Sequence, residues 1–424
     1  MYRTFILCLE NNYMHTIKSI TVDIILDSRG NPTLSVSVFT DTCFSGNCMV
    51  PSGASVGKYE AYEMRDNGQS NGGVINAKEI ILTKILPTLL GKNIEDQHDI
   101  DHTMITLDGT SNKQVLGGNS MIGVSIACAK AAAKVKGQEF YEYLKILAPP
   151  TSFLSTPRLY LNLINGGKHT LNNLAFQEYH IVPMVDSIIE SLAIAKTIQE
   201  KLGEIVKEKY GIVKLGDEGG YAIAEDDVEI PLALLRKAVV ACGFTDKIMF
   251  ALDVAATSFY DEEKGLYIFS GREYSKDTLR DFYLQLAKEY SFISIEDPFF
   301  EEDFESFSLL QKMLPNVCIV GDDLTVTNCV RLKQAIEEKS VKGIIIKPNQ
   351  IGTLSETIDA ITHAQNNGIK CIVSHRSGET NDDMIADITM AFNCFGMKGG
   401  ARGQEVREAK YTRLALIESL LNKK

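Results

Sequence analysis

Three carboxylates close successive apolar runs in this chain. Asp253 ends KIMFALD, Glu296 ends FISIE and Asp322 ends VCIVGD. Carboxylates gathered in one place repel unless something neutralises them. A hard divalent cation is the simplest remedy, and an oxygen-only ligand set suits magnesium or manganese. Zinc is disfavoured, because no cysteine or histidine cluster stands at this spacing. The bland alternative is that each acid caps a helix or pairs with an arginine. That reading suits any one of them better than the ordered series.

Lys347 ends VKGIIIK. An ammonium beside bound cations loses its proton more easily, so the expectation is a pKa that falls from about 10.4 toward the range of a general base. Such a lysine could take the proton α to a carboxylate. Glu218 lies in the glycine-rich GDEGG and Glu178 in FQEYH. An acid there could protonate a departing hydroxyl from the other side, with the second acid holding it or its water. His375 ends IKCIVSH and begins His375-Arg376-Ser377-Gly378. The arginine fork and serine hydroxyl suit a phosphate or carboxylate. Lys398 offers a point charge to a second anionic group. Ser55, in the small-residue loop PSGASVGK (51–58), could cross to the site, add a ligand to a second cation and exclude water.

These residues need a scaffold that collects strand ends. The steps from Asp253 through Glu296, Asp322, Lys347 and His375 to Lys398 are 43, 26, 25, 28 and 23 residues. Four of the five match one strand–helix unit, and the long one has room for a hairpin around 259–275. Near-continuous apolar strands alternating with helices indicate a parallel sheet covered on both faces. The count favours a closed α/β barrel of the (β/α)8 type over an open sheet, with every strand pointing the same way and its last residue at one mouth. Ahead of it, residues 17–40 alternate as a strand pair interrupted by Ser28-Arg29-Gly30-Asn31-Pro32. Helical stretches are expected near 73–90, 94–107 and 119–145. The predicted organisation is an N-terminal extension (1–16), a smaller α+β capping domain (17–150) and a catalytic barrel (151–424), joined at Ala148-Pro149-Pro150-Thr151-Ser152.

The 424 residues carry 43 basic and 55 acidic side chains, a net charge of −12. Such a balance argues against nucleic acid or an acidic membrane as partner. No apolar window is long enough to span a bilayer. Nine irregularly spaced cysteines without a CxxC pair read as reduced thiols, which points to the cytoplasm. The apolar N-terminal nonapeptide ends at Glu10-Asn11-Asn12, too short for a signal peptide. His98 and His102 read as solvated helix residues, and His180 and His363 as ordinary packing or surface residues.

At the candidate site residues the chain closely resembles the enolases. The matching stretches are SRGNPT (28–33), PSGAS (51–55), EMRD (63–66), LNLINGGKH (161–169), FQE (176–178), GDEGG (216–220), LDVA (252–255), SIEDPF (294–299), DDLTVTN (322–328), KPNQIGTLSET (347–357) and VSHRSGET (373–380). The resemblance runs over about 17–420. It implies a magnesium-dependent lyase interconverting 2-phosphoglycerate and phosphoenolpyruvate plus water. Lys347 would be the base and Glu218 the acid, with Glu178 assisting. Asp253, Glu296 and Asp322 would hold the first Mg2+, and Ser55 a second that arrives with substrate. Arg376 and Ser377 would bind phosphate, Lys398 the substrate carboxylate, His169 and His375 would line the substrate, and Gln177 would support metal-bound waters. The resemblance also implies a barrel that opens with two strands and two helices, and a cytoplasmic homodimer or octamer. The competing class is a non-catalytic binding protein of the same fold.

The chain departs from the family pattern near its end. Lys398-Gly399-Gly400-Ala401-Arg402 stands where lysine-threonine-glycine-alanine-proline is usual, and Gln404-Glu405-Val406-Arg407 where arginine-serine-glutamate-arginine is usual. Val56 follows Ser55 in place of threonine, and Gly321 precedes Asp322 in place of alanine.

Overall fold

The computed structural model describes residues 14–53, 57–69, 71–148, 156–212 and 214–423. The expected joint at 149–152 and the site residue Ser55 lie outside them. Strands β1 (Ile17–Leu26), β2 (Pro32–Thr40) and β3 (Ser45–Met49) form an antiparallel sheet in that order. The third strand has no counterpart in the sequence reading. SGNCM is too polar to stand out, although its burial does alternate. Helix Gly118–Val135 packs on this sheet. Gly46 permits the approach, because a Cβ there would lie 2.0 Å from the Ala127 carbonyl oxygen. The helix expected over 119–145 is two helices, Gly118–Val135 and Phe140–Leu147. Gly137 lies between them at φ 64°, a left-handed conformation that ends the first.

The rest closes into an eight-stranded barrel. Its members are β4 (Arg158–Asn165), β5 (Glu178–Pro183), β6 (Ile248–Asp253), β10 (Phe292–Glu296), β11 (Cys318–Gly321), β12 (Gly343–Ile346), β13 (Lys370–Ser374) and β14 (Gly396–Lys398). Numbers β7 to β9 belong to a small sheet of Tyr260–Asp261, Leu266–Phe269 and Arg272–Tyr274, three short strands where a hairpin was expected. The strands are apolar throughout because both faces are covered. Tyr160, Val182, Ala251, Ile293, Cys318, Val320, Ile345 and Ile372 fill the inside. Leu161, Leu252, Ile295, Ile344 and Ile346 join the layer under the helices.

The expectation that every strand points the same way is corrected by β5. It runs antiparallel to both β4 and β6, while all other neighbours are parallel. Two strands then two helices, Ile188–Tyr210 and Ile230–Ala241, precede the regular units. The connection from Asn165 to Glu178 holds only the turn Gly167–His169 and no crossover helix, and the chain turns back along its neighbour. The inversion puts the first residue of β5, Glu178, at the same mouth as the last residues of the others.

The N-terminal unit covers that mouth. Backbone bonds join Ser52 and Gly378 in both directions, at 2.8 and 2.9 Å. Lys130, on the helix above the sheet, donates to both carboxylate oxygens of Asp382 at 2.8 and 2.9 Å.

Candidate active site

One cavity beneath the cap is lined by His169, Gln177, Glu178, Glu218, Asp253, Asp322, Lys347, His375, Arg376, Ser377 and Lys398. Of the expected site residues that the structure describes, only Glu296 is absent from the lining. Lys398 lies against it. The ammonium of Lys398 is 2.9 and 3.0 Å from the two oxygens of Glu296, and 3.0 Å from Asp253 and from Glu178. All four side chains are nearly inaccessible to solvent. Burial first, then Asp253, raises the pKa of Glu296 well above the usual carboxylate range. Such a carboxylate cluster calls for positive charge, and here Lys398 supplies it.

Asp322 points elsewhere. It forms a close ion pair with Lys347 and accepts from Gln350 Nε2 at 3.1 Å. The fall expected for the Lys347 pKa is that of an ammonium beside bound cations; here its near neighbour is Asp322. Burial, Arg376 and Lys398 act to lower that pKa, but the adjacent Asp322 carboxylate outweighs them and the pKa is raised. Burial presses Asp322 upward, while Lys347 holds it below its ordinary value.

Across the mouth stand the two glutamates. In the barrel order β10, β11, β12, β13, β14, β4, β5, β6, the strand before Lys347 and the strand opened by Glu178 are four places apart in a ring of eight. They are diametrically opposed. His169, in the turn Gly167–His169 after β4, brings Nδ1 to 3.4 Å from Glu178 and 3.7 Å from Glu218. Glu218 accepts from Asn162 at 3.1 Å and lies 3.3 Å from His375 Nε2. Two buried acids this close do not both ionise. Burial and then Glu218 push Glu178 up to about 8. Burial works against ionisation of Glu218 too, but His375, His169 and Arg407 hold it well below its usual range. The two acids are therefore pushed in opposite directions, Glu178 upward and Glu218 downward. His375 is itself lowered to about 4, by burial and by Arg407 against the pull of Glu218.

The anion-binding features are present but partly engaged. Arg376 meets the Glu60 carboxylate and donates to Asn349 Oδ1 at 2.9 Å. Ser377 Oγ is buried without a hydrogen-bond partner among the described residues. Gln177 donates to Asp253 at 3.2 Å.

The donors fit a divalent cation. They are buried and anionic, and a lysine ammonium already stands among Glu178, Asp253 and Glu296. Among the described residues, His169, Glu178 and Glu218 bring ligand atoms within 4.8 Å of one another, as do Asp297, Asp322 and Asp323. Asp253, Glu296 and Asp322 are not such a group, because Asp322 is drawn to Lys347.

Sequence reasoning passed over several residues. Glu60, Asn162 and Gln350 carried no isolated signal. Arg407 was seen only as part of a departing segment, yet it is completely buried and donates to the carbonyls of Arg376 (2.6 Å), Ser377 (2.8 Å) and Asp217 (3.1 Å). It pins the two loops that carry Glu218 and Arg376. His180, read as ordinary, lies inside the barrel with Nε2 2.8 Å from Glu178, and burial lowers its pKa to about 3. The other bland readings hold for His98 and His102, which are exposed on helix Gln97–Asp108. The eight described cysteines are all free, and no described helix is long and apolar enough to cross a membrane.

Residues 17–144 match the model of the enolase N-terminal domain, and residues 153–424 that of the enolase C-terminal TIM barrel domain. The chain belongs to the enolase family. It is 44% identical over 402 residues to the enolase of Methanococcus maripaludis (strain C5), covering 94% of this chain and 93% of that one. The enolase of Thermococcus kodakarensis is 45% identical over 405 residues, with the same coverage. That of Methanocaldococcus jannaschii is 44% identical over 410 residues, covering 96% of this chain and 95% of its own. Membership in the enolase family makes the protein an enzyme, a lyase, and its α+β cap on a barrel is the family architecture.

Proposed function

We propose that the protein catalyses the magnesium-dependent interconversion of 2-phosphoglycerate with phosphoenolpyruvate and water. The observation that carries this reading is the opposition of Lys347 to the Glu178–Glu218 pair across one buried, charged mouth. A base on one side and a proton-bearing acid pair on the other suit removal of an α-proton and loss of a hydroxyl from opposite faces of a bound acid.

Lys347 accepts the proton α to the carboxylate. Glu218 delivers a proton to the departing hydroxyl, with Glu178 assisting. Arg376 and the unpartnered hydroxyl of Ser377 receive the phosphate, and Lys398 turns from the acids to the substrate carboxylate. His169 and His375 wall the substrate beside the glutamates. Magnesium held by Asp253, Glu296 and Asp322, with a second ion at Ser55, would supply charge to stabilise the carboxylate as its proton leaves and draw Asp322 away from Lys347. Gln177, bonded to Asp253, steadies that ligand. The relatives' name supports a small anionic substrate, and we assign the protein to the cytoplasm as a homodimer or octamer on the same resemblance.

Absorbance of phosphoenolpyruvate, followed from 2-phosphoglycerate with and without magnesium, tests the reading. Turnover that needs the metal supports it. A folded protein that binds magnesium and gives no product would favour the non-catalytic binding reading.

A further inference from the structure

Arg407 stands in the first turn of the C-terminal helix Glu405–Leu421 and is buried. The five N–H donors of its guanidinium meet five acceptors. Nε donates to Gln404 Oε1 at 3.3 Å. One end nitrogen donates to the Arg376 carbonyl at 2.6 Å and closely to His375 Nδ1. The other donates to the carbonyls of Ser377 at 2.8 Å and Asp217 at 3.1 Å. None of the five acceptors is a carboxylate. The three carbonyl contacts suffice to tie the loop before Glu218 to the loop after β13. The contact with Nδ1 does something else.

A guanidinium only donates, so Nδ1 must accept. A neutral imidazole that accepts at one nitrogen carries its hydrogen on the other. A protonated ring would set N–H against N–H, and burial, then Arg407, opposes that form against the pull of Glu218. The hydrogen is thereby assigned to Nε2. This atom is buried, has no hydrogen-bond partner among the described residues and lies 3.3 Å from Glu218 Oε1, while the His375 side chain lines the cavity. A buried N–H without an acceptor is costly, and an oxygen of a ligand bound against this wall would relieve the cost.

We propose that Arg407 is a positioning residue that locks His375 as the Nε2–H tautomer, so that the ring offers a donor to an oxygen of the bound acid beside Glu218. The inference rests on the reading above in placing the reacting acid there, whereas the tautomer can be measured without substrate.

In wild-type protein labelled with 15N-histidine, the ring signals missing from His375→Gln identify His375. They should show hydrogen on Nε2 and a bare Nδ1 at neutral pH. Hydrogen on Nδ1, or on both nitrogens, overturns the proposal whether or not any Arg407 variant folds. Arg407→Met should release the ring and populate the Nδ1–H form, and an unchanged signal in the folded variant also overturns it. Turnover gives an independent measure. Arg407→Met should lower kcat on the order of tenfold to a hundredfold, the scale of a misplaced catalytic group. In a His375→Gln background, where no ring is left to orient, the same substitution should cost much less. Equal losses in both backgrounds would make Arg407 a tie between loops and overturn the proposal. Wild-type protein with the Nε2 hydrogen but without turnover refutes the reaction and keeps the lock.

Discussion

Glu60 and Arg376 join the cap to the barrel through a two-pronged ion pair, both guanidinium end nitrogens lying 3.0 to 3.3 Å from the carboxylate. The pair is buried on both sides. The group expected to receive phosphate is therefore already held by a carboxylate of the cap. Arg376, the Asn349 side chain and the Gly57 N–H, which donates to Glu60 at 3.0 Å, form one continuous seam.

Removing one partner of such a pair leaves a buried charge uncompensated. Glu60→Ala should lose about 3–5 kcal/mol of stability. Inorganic phosphate should replace the missing charge, so it should raise the Tm of Glu60→Ala by more than that of the wild type. Equal phosphate shifts in thermal melts would show that Arg376 is not the phosphate site.

Lys398 gives a second expectation. It neutralises Glu178, Asp253 and Glu296 together, so Lys398→Met should leave an acidic cluster without a counter-charge. Melting without divalent ions should reveal a loss on the order of 3 kcal/mol. Magnesium should stabilise this variant more than the wild type. Indifference to the substitution in metal-free buffer would contradict the placement of the ammonium.

Acid should act on the seam through Asp382. Burial presses its pKa upward, but Lys130 outweighs burial and the net shift is downward. A carboxyl depressed in the folded state contributes stability above its unfolded pKa, about 3.9, and loses it as pH falls through the lower folded value. The stability gap between wild type and Asp382→Asn should be constant near neutrality and shrink below about pH 4. Denaturant titrations at several pH values measure it, and a gap that widened in acid would refute the pairing.

The barrel strands were legible because burial on both faces makes them apolar without interruption, as in GIII of β12 and CIVG of β11. The inverted β5 was not. An antiparallel strand buried on both faces, EYHIVP, has the same composition as a parallel one, and its direction is set by the connection from β4. β3 was hidden because Asn47 faces outward to bond Ser35 and Ser37, leaving Cys48 as its buried apolar anchor. The site residues were legible as strand ends. Their pairings were not, because Lys398 with Glu296 and Lys347 with Asp322 are made between strands 102 and 25 residues apart. Arg407 shows the same limit. It gains its meaning from partners, the loop carbonyls of Asp217, Arg376 and Ser377, that chain order does not announce.

The central claim is that Lys347 removes the substrate's α-proton. It is tested most directly by proton NMR of 2-phosphoglycerate in deuterated buffer with magnesium, comparing wild type with a folded Lys347→Ala variant. The wild type should convert substrate to phosphoenolpyruvate with loss of the C2 proton signal. In the variant that loss should slow by about 10²–10⁴, the usual contribution of a general base. Loss of the C2 proton at the wild-type rate in Lys347→Ala would contradict the account.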